Sequence, residues 1–367
     1  MSTALEVKPL SDWIDTNNLP LIISGPCSVE SREQLFTTGK ELAKLGKVNM
    51  IRAGIWKPRT RPGIFEGIGE IGLKWLQELK HEIGLKVCVE VATPQHVESA
   101  LNHEVDALWI GARTTVNPFS VQTLVESLKG VDIPVMVKNP LHPDLKLWIG
   151  ALERINNAGI TKLAAIHRGF YTYDNKPFRN IPMWEIPIEL KRQIPDLPII
   201  CDPSHISGNR ELINSVAQKA LDLSMDGLMI ESHFNPQIAL TDAEQQIKPV
   251  ELKELIEKLV IRKEHGNQEF ENMLEQLRFE IDQIDHELIS ILSRRNEKAE
   301  QLGSYKKSNN ITVLQIDRLR KMIQERLAYA EKYDLESSYI LKLLQLVHKE
   351  SVRIQTNIMQ SDNNKES

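Results

Sequence analysis

Short apolar runs and amphipathic stretches alternate over roughly the first 235 residues. The runs read LIISG, VNMI, KVCVE, ALWIG, PVMVK, KLAAIH, LPIIC and GLMIE. Between them lie segments such as REQLFTTGKELAKLG and TPQHVESALNH, whose apolar positions recur at steps of three and four. A continuous apolar run fits a parallel strand covered on both faces, and the intervening pattern fits a covering helix. Strand followed by helix, eight times over, predicts a (β/α)8 TIM barrel.

The pattern changes after the helix VELKELIEKLVIRKE. A polar stretch, HGNQ, marks a boundary, and beyond Gly266 the chain has one glycine, Gly303, and no proline. Leu274, Leu277, Ile281, Ile284, Leu288 and Ile291 form the narrow apolar seam of one long helix. Two more helical segments follow, near 313–332 and 336–360. The expected organisation is a barrel over 1–262, a linker over 263–269, a small all-α three-helix domain over 270–360 and a disordered tail over 361–367.

Two departures interrupt the helical seam. Continuing its steps beyond Ile291 brings Arg295 onto the apolar face, and Lys306, eleven residues on, falls on nearly the same face. In the last helix Ile340, Leu344 and Val347 lead to Ser351, Gln355 and Ile358, which puts two polar residues in a buried stripe. A guanidinium in such a seam costs several kcal/mol unless an anion pairs with it. Two readings remain open: a buried polar network that fixes helix register, or a pocket for a small dicarboxylate.

Composition narrows the function. The chain has 367 residues, against about 250 for a barrel alone, so a second domain fits. With 41% apolar and 26% charged residues and a net charge of −5, it offers no electrostatic footprint for nucleic acid or a membrane surface. The start, MSTALEVKPL, lacks a signal-peptide pattern, and no apolar stretch approaches the roughly 20 residues of a membrane span. Cys27, Cys88 and Cys201 each adjoin a predicted strand, which reads as a reduced, cytoplasmic protein.

Each predicted strand ends close to a residue suited to anions or metals, at the barrel rim where functional groups gather. Cys27, His205, Glu231 and Asp242 are candidate metal ligands, and strand 8 closing on strand 1 would bring their strand ends together. One thiolate, one imidazole and two carboxylates suit a divalent Mn, Fe, Co or Zn ion better than Mg or Ca. His233, two residues after Glu231, is an alternative to His205. Arg52, Lys57, Arg59, Arg61, Arg113, Lys138 and Arg168 would crowd one rim, a concentration of positive charge that fits phosphorylated substrates.

These motifs carry a resemblance. GPCSVES, RAGIWKPRTRPGIFEG, GART, VKNP, HRG, DPSH, and ESH followed by Asp242 resemble 3-deoxy-D-arabino-heptulosonate 7-phosphate (DAHP) synthase over about residues 15–260. That family condenses phosphoenolpyruvate with erythrose 4-phosphate at the entry to the shikimate pathway. The resemblance implies a metal on Cys27, His205, Glu231 and Asp242. It implies phosphoenolpyruvate on Arg52, Lys57, Ala112, Arg113, Lys138 and Arg168, and erythrose 4-phosphate on Arg59 and Thr60. Glu90 would position the attacking water. A related barrel, 3-deoxy-D-manno-octulosonate 8-phosphate synthase, has an Ala-Asn-Arg pattern after its lysine. Here the chain reads Lys57-Pro58-Arg59-Thr60, which favours the four-carbon aldose.

Residues 270–360 resemble the all-helical chorismate mutases. On that resemblance Arg278, Arg295, Lys306, Arg318, Ser351 and Gln355 bind chorismate or prephenate, with Lys306 and Gln355 donating to the ether oxygen. Arg278 and Arg295 are 17 residues apart, about 25 Å along one helix and about 100° apart in azimuth. One small ligand cannot reach both, so Arg278 is expected from a second chain in an intertwined homodimer. The family often has an acid after the arginine at 318 and an Asp at 315, where this chain has Leu319 and Gln315.

The expected protein is therefore a bifunctional transferase and isomerase. Two alternatives are a synthase whose helical domain only senses ligand and dimerises, and an octulosonate-type barrel with a helical oligomerisation tail. About 20 residues precede the first strand, too few for an N-terminal regulatory domain, so feedback by prephenate or chorismate is expected through the helical domain.

Overall fold

The computed structural model describes residues 5–16, 20–57, 63–173, 176–263, 266 and 268–361. Parts of the expected linker and tail, and the expected aldose-phosphate residues Arg59 and Thr60 with neighbouring Arg61, lie outside the described residues. The chain forms two compact units, 1–262 and 263–367.

The first unit is a closed barrel of eight parallel strands in sequential order. They are β1 (Leu21–Gly25), β2 (Met50–Ala53), β3 (Lys86–Val91), β4 (Ala107–Ile110), β5 (Val135–Lys138), β6 (Leu163–His167), β7 (Ile199–Cys201) and β8 (Gly227–Glu231). Around it run α1 (Arg32–Lys44), α2 (Ile71–Ile83), α3 (Pro94–Asn102), α4 (Ala112–Thr115), α5 (Pro118–Leu128), α6 (Leu145–Asn157), α7 (Glu185–Gln193), α8 (Pro203–Ser207), α9 (Ile213–Asp222) and α10 (Pro249–Lys258). The expected (β/α)8 fold is the fold observed.

The strands divide their side chains by period two. Ile23, Met50, Cys88, Trp109, Met136, Ile166, Ile200 and Met229 fill the barrel interior. Ile22, Ile51, Val87, Val89, Leu108 and Val137 belong to a second buried layer with helix residues such as Leu76, Val121 and Trp148. Both faces of each strand are thus apolar, which is why the runs lack alternation. Trp13 and Ile14, just after a short 3-10 turn, join the interior cluster.

Closure sets the functional end. In the β1–β8 register Leu21 pairs with Gly227 and Gly25 with Glu231. Cys27, two residues past the end of β1, is thereby brought beside Glu231 at the end of β8. Cys27, Cys88 and Cys201 are all free.

The second unit has α11 (Gln268–Ser308), α12 (Ile316–Ala330) and α13 (Ser337–Gln360). Helices α11 and α12 both pack on α13. The apolar seam of α11 is open in the single chain: Leu277, Ile281, Ile284, Leu288 and Ile291 are all exposed. Ser351 and Gln355 are buried, as the α13 stripe requires. Among the described residues no helix is long and apolar enough to cross a membrane.

Candidate active sites

At the C-terminal end of the barrel, Cys27, Glu231 and Asp242 bring one ligand atom each to within 4.8 Å of one another. The Cys27 thiol donates to Asp242 Oδ2 at 3.3 Å, and its backbone N–H donates to Gln246 Oε1 at 2.9 Å. Burial pushes the thiol up to about 12, with the Glu231 charge acting in the same direction. Burial opposes ionisation of Asp242, but the Arg179 guanidinium 3.0 Å away holds the carboxyl below the usual range. His205 borders this group without joining it, its Nε2 lying 3.8 Å from Glu231 Oε1. His233, the alternative imidazole, faces elsewhere: Nδ1 accepts from Asn235 N, and Nε2 lies 3.7 Å from Glu30.

Cations surround the cluster. Arg52, at the rim end of β2, is 1% exposed and lies 3.0 Å from Glu231 Oε1. Its Nε and Nη1 meet no hydrogen-bond partner, which leaves two buried donors for an anion. Lys57 Nζ donates to Cys27 Sγ at 3.2 Å. Lys138, the last residue of β5, is buried and pairs with Asp202 at 2.8 Å. Arg168 donates to Asn180 Oδ1 at 2.8 Å. Burial pushes its guanidinium down to about 10; Asp202 pulls the other way, and Arg179 and Arg113 add to the fall. Arg113 itself is exposed on α4, next to the buried Ala112.

Asp202 has three contacts that pin this rim. One oxygen caps α8 through His205 N at 3.1 Å, and the other meets Lys138 Nζ and the His205 ring, each at 2.8 Å. Burial opposes its charge, but His205 and Lys138 hold the carboxyl well below its ordinary value. Glu90 near the end of β3 accepts from Trp109 Nε1 at 3.2 Å, and its other oxygen occupies space left by Gly111. A Cβ on Gly111 would lie 2.0 Å from that oxygen, so any larger residue there would displace the Glu90 carboxylate.

In the helical unit a cavity of about 310 Å³ is lined by Arg295, Lys306, Arg318, Ser351 and Gln355 among others. Arg295 donates to Ser351 Oγ at 2.6 Å, and Lys306 donates to Val313 O at 2.7 Å. Burial lowers the pKa of both cations, and for Arg295 the nearby Arg326 adds to it. Arg278 is exposed on α11 and is not part of this lining.

Comparison with known proteins places both units. The DAHP synthetase I family model matches residues 5–267. The chain belongs to the DAHP synthetase I family. A second model, chorismate mutase type II, matches residues 277–356. The chain thus joins a DAHP synthase, a transferase, to a chorismate mutase, an isomerase. It is similar to a phospho-2-dehydro-3-deoxyheptonate aldolase of Thermotoga maritima, 33% identical over 238 residues, covering 65% of this chain and 68% of the relative. The crystal structure of that Thermotoga maritima aldolase (DAHP synthase) superposes with a TM-score of 0.59 at 31% identity, covering 72% of this chain and 74% of the other. A more distant relative is a 2-dehydro-3-deoxyphosphooctonate aldolase of Desulfotalea psychrophila, 28% identical, covering 65% of this chain and 88% of the relative.

Sequence reasoning passed over several residues of this DAHP synthase rim. Asp202 stood in the DPSH motif beside His205, but an acid in that position reads as a simple helix cap. Arg179 and Asn180 lie in the long segment between β6 and α7, where no period marks which side chain turns inward. In the mutase pocket Lys298, Arg326 and His348 also line the cavity without any sequence motif to signal them. Arg326 follows Arg318 by eight residues and His348 precedes Ser351 by three, so helical stepping from the chosen residues would have reached both.

Proposed function

We propose that the barrel condenses phosphoenolpyruvate with erythrose 4-phosphate around a divalent ion held by Cys27, His205, Glu231 and Asp242. The observation that carries this reading is the convergence of Cys27, Glu231 and Asp242, with the buried Arg52 on Glu231 and Lys57 on Cys27. The donor set fits an ion: a thiol, two carboxylates and a nearby imidazole suit Mn, Fe, Co or Zn. When bound, that ion supplies a Lewis acid for the aldehyde oxygen.

The protein's own groups do the rest. Arg52, with its two spare donors, Lys57, Lys138, Arg113 and Arg168 hold the phosphate and carboxylate of phosphoenolpyruvate, with Ala112 offering its backbone. Charged forks fix that ligand's orientation, which converts binding into rate. Arg59 and Thr60 grip the phosphate of the aldose. Glu90, steadied by Trp109, positions the water that adds to C2 as C3 bonds to the aldehyde carbon; the C2–O bond to phosphate then breaks, releasing inorganic phosphate and leaving the C2 ketone. Assay with both substrates, with and without a chelator, tests the reading; a rate indifferent to chelation removes the metal.

The helical domain converts chorismate to prephenate. Arg295, Arg318 and Ser351 hold the carboxylates, Lys306 and Gln355 donate to the ether oxygen, and Arg278 reaches the site from a second copy. The open α11 seam supports that pairing, because a homodimer would cover it. Either prephenate or chorismate bound there lowers the barrel rate by favouring one domain arrangement. Equal synthase rates with and without saturating prephenate would remove the regulatory reading. Both chemistries suit a cytoplasmic enzyme.

A further inference from the structure

The mutase pocket is rich in hydrogen-bond donors and poor in acceptors. Arg295, Lys298, Lys306, Arg318 and Arg326 line it, and among the described residues its lining holds no Asp or Glu. Arginine and lysine donate and cannot accept. Chorismate and prephenate carry, besides two carboxylates, a hydroxyl whose proton needs an acceptor. The residue after Arg318, Leu319, offers none.

The side chains that could accept are few. Gln315 is exposed, and the Ser351 hydroxyl accepts from Arg295, its proton now donated to Val347 O and turned to a ligand carboxylate in the proposed chemistry. Gln355 Oε1 and His348 Nε2 are the buried lining atoms that meet no partner. In the proposed chemistry Gln355 Nε2 donates to the ether oxygen, which fixes the direction of Oε1, whereas the His348 ring has no other role. His348 lies one helical turn before Ser351, on the same face of α13.

We propose that His348 is the specificity residue of the helical pocket, its Nε2 accepting a hydrogen bond from the hydroxyl of the bound ligand. This rests on the pocket being the chorismate site. Burial and the charges of Arg295, Arg326 and Lys306 hold the imidazole below its ordinary pKa, which keeps a ring nitrogen free to accept at neutral pH.

The test uses the full-length chain with chorismate and with the analogue lacking the ring hydroxyl. His348→Phe is expected to raise KM for chorismate about 5- to 10-fold, the size of one neutral hydrogen bond, and to leave the analogue unchanged. His348→Gln, which keeps an acceptor, is expected to restore most of the difference. Equal effects on both substrates would overturn the assignment. A measurement without a variant is the 15N resonance of His348 in wild-type chain as prephenate is added. A shift supports the contact, and an unmoved resonance overturns it. Turnover of chorismate without that shift removes the His348 contact and keeps the mutase; the shift without turnover does the reverse.

Discussion

The ammonium of Lys57 donates to the sulfur of Cys27 across 3.2 Å, and Gly54 makes that approach possible. A Cβ at Gly54 would lie 2.0 Å from the Cys27 carbonyl oxygen and 2.8 Å from Lys57 Nζ, both inside contact distance. The Gly54→Ala enzyme should therefore lose DAHP synthase activity by about 100-fold or more through displacement of the two groups. The mutase rate of the same preparation should stay within twofold.

Metal removal should separate the two activities in the same way. A chelator should abolish condensation and leave chorismate turnover intact, since the helical pocket is lined by donors and cations. Cys27→Ala should need at least 10-fold more metal for half activity, by analogy with the weight of other ligand-sphere changes. Metal titration of both rates in one sample checks this.

The Arg52–Glu231 pair lies out of water at 3.0 Å. Arg52→Met strips Glu231 of its nearest cation, and a buried charge left alone costs roughly 3–5 kcal/mol. A lowered urea midpoint is the expected result. The double variant Arg52→Met, Glu231→Met should recover part of that loss, because no lone charge remains.

His167 gives a pH prediction. Burial, with Arg168 acting in the same direction, pushes its imidazole down to about 3 from 6.5. The unfolded chain therefore binds a proton that the folded chain refuses between those values. Stability from this group is fully present above 6.5 and falls as pH drops toward 3, by about 1.4 kcal/mol per unit. His167→Phe, beside Phe170 and Trp184, should flatten that part of the acid limb in urea unfolding measured against pH.

Lys306 donates to Val313 O at 2.7 Å, and the proposed chemistry moves that donor to the ether oxygen of the ligand. Lys306→Met should lower mutase kcat by about 10² to 10³, the weight of one preorganised donor. DAHP synthase activity without prephenate should be unchanged.

Much of the barrel was legible because each strand is apolar on both faces and each helix has its own stripe. Cys27 and Glu231 could be picked out because they are chemically unusual at or just after strand ends, and Asp242 because it follows the ESH motif at a fixed spacing. Asp202 and Arg179 could not, since an acid before a helix and an arginine in a loop are ordinary in sequence. His348 was missed for a related reason: a histidine on a half-buried helix face acquires meaning only when its neighbours are seen to be cations.

The order of apolar runs by itself determined eight strands, their covering helices and an all-helical tail with two polar residues in its buried stripe. Tertiary structure decided what meets what. Pairing of Gly25 with Glu231 brings Cys27 next to a carboxylate some two hundred residues away in sequence. It also turned His233 toward Glu30, gave Lys138 and His205 a common acid, and enclosed five cations in one pocket. Hydrophobic periodicity is a local property that a short window contains, whereas the fields and hydrogen bonds of a site depend on distances that only chain closure fixes.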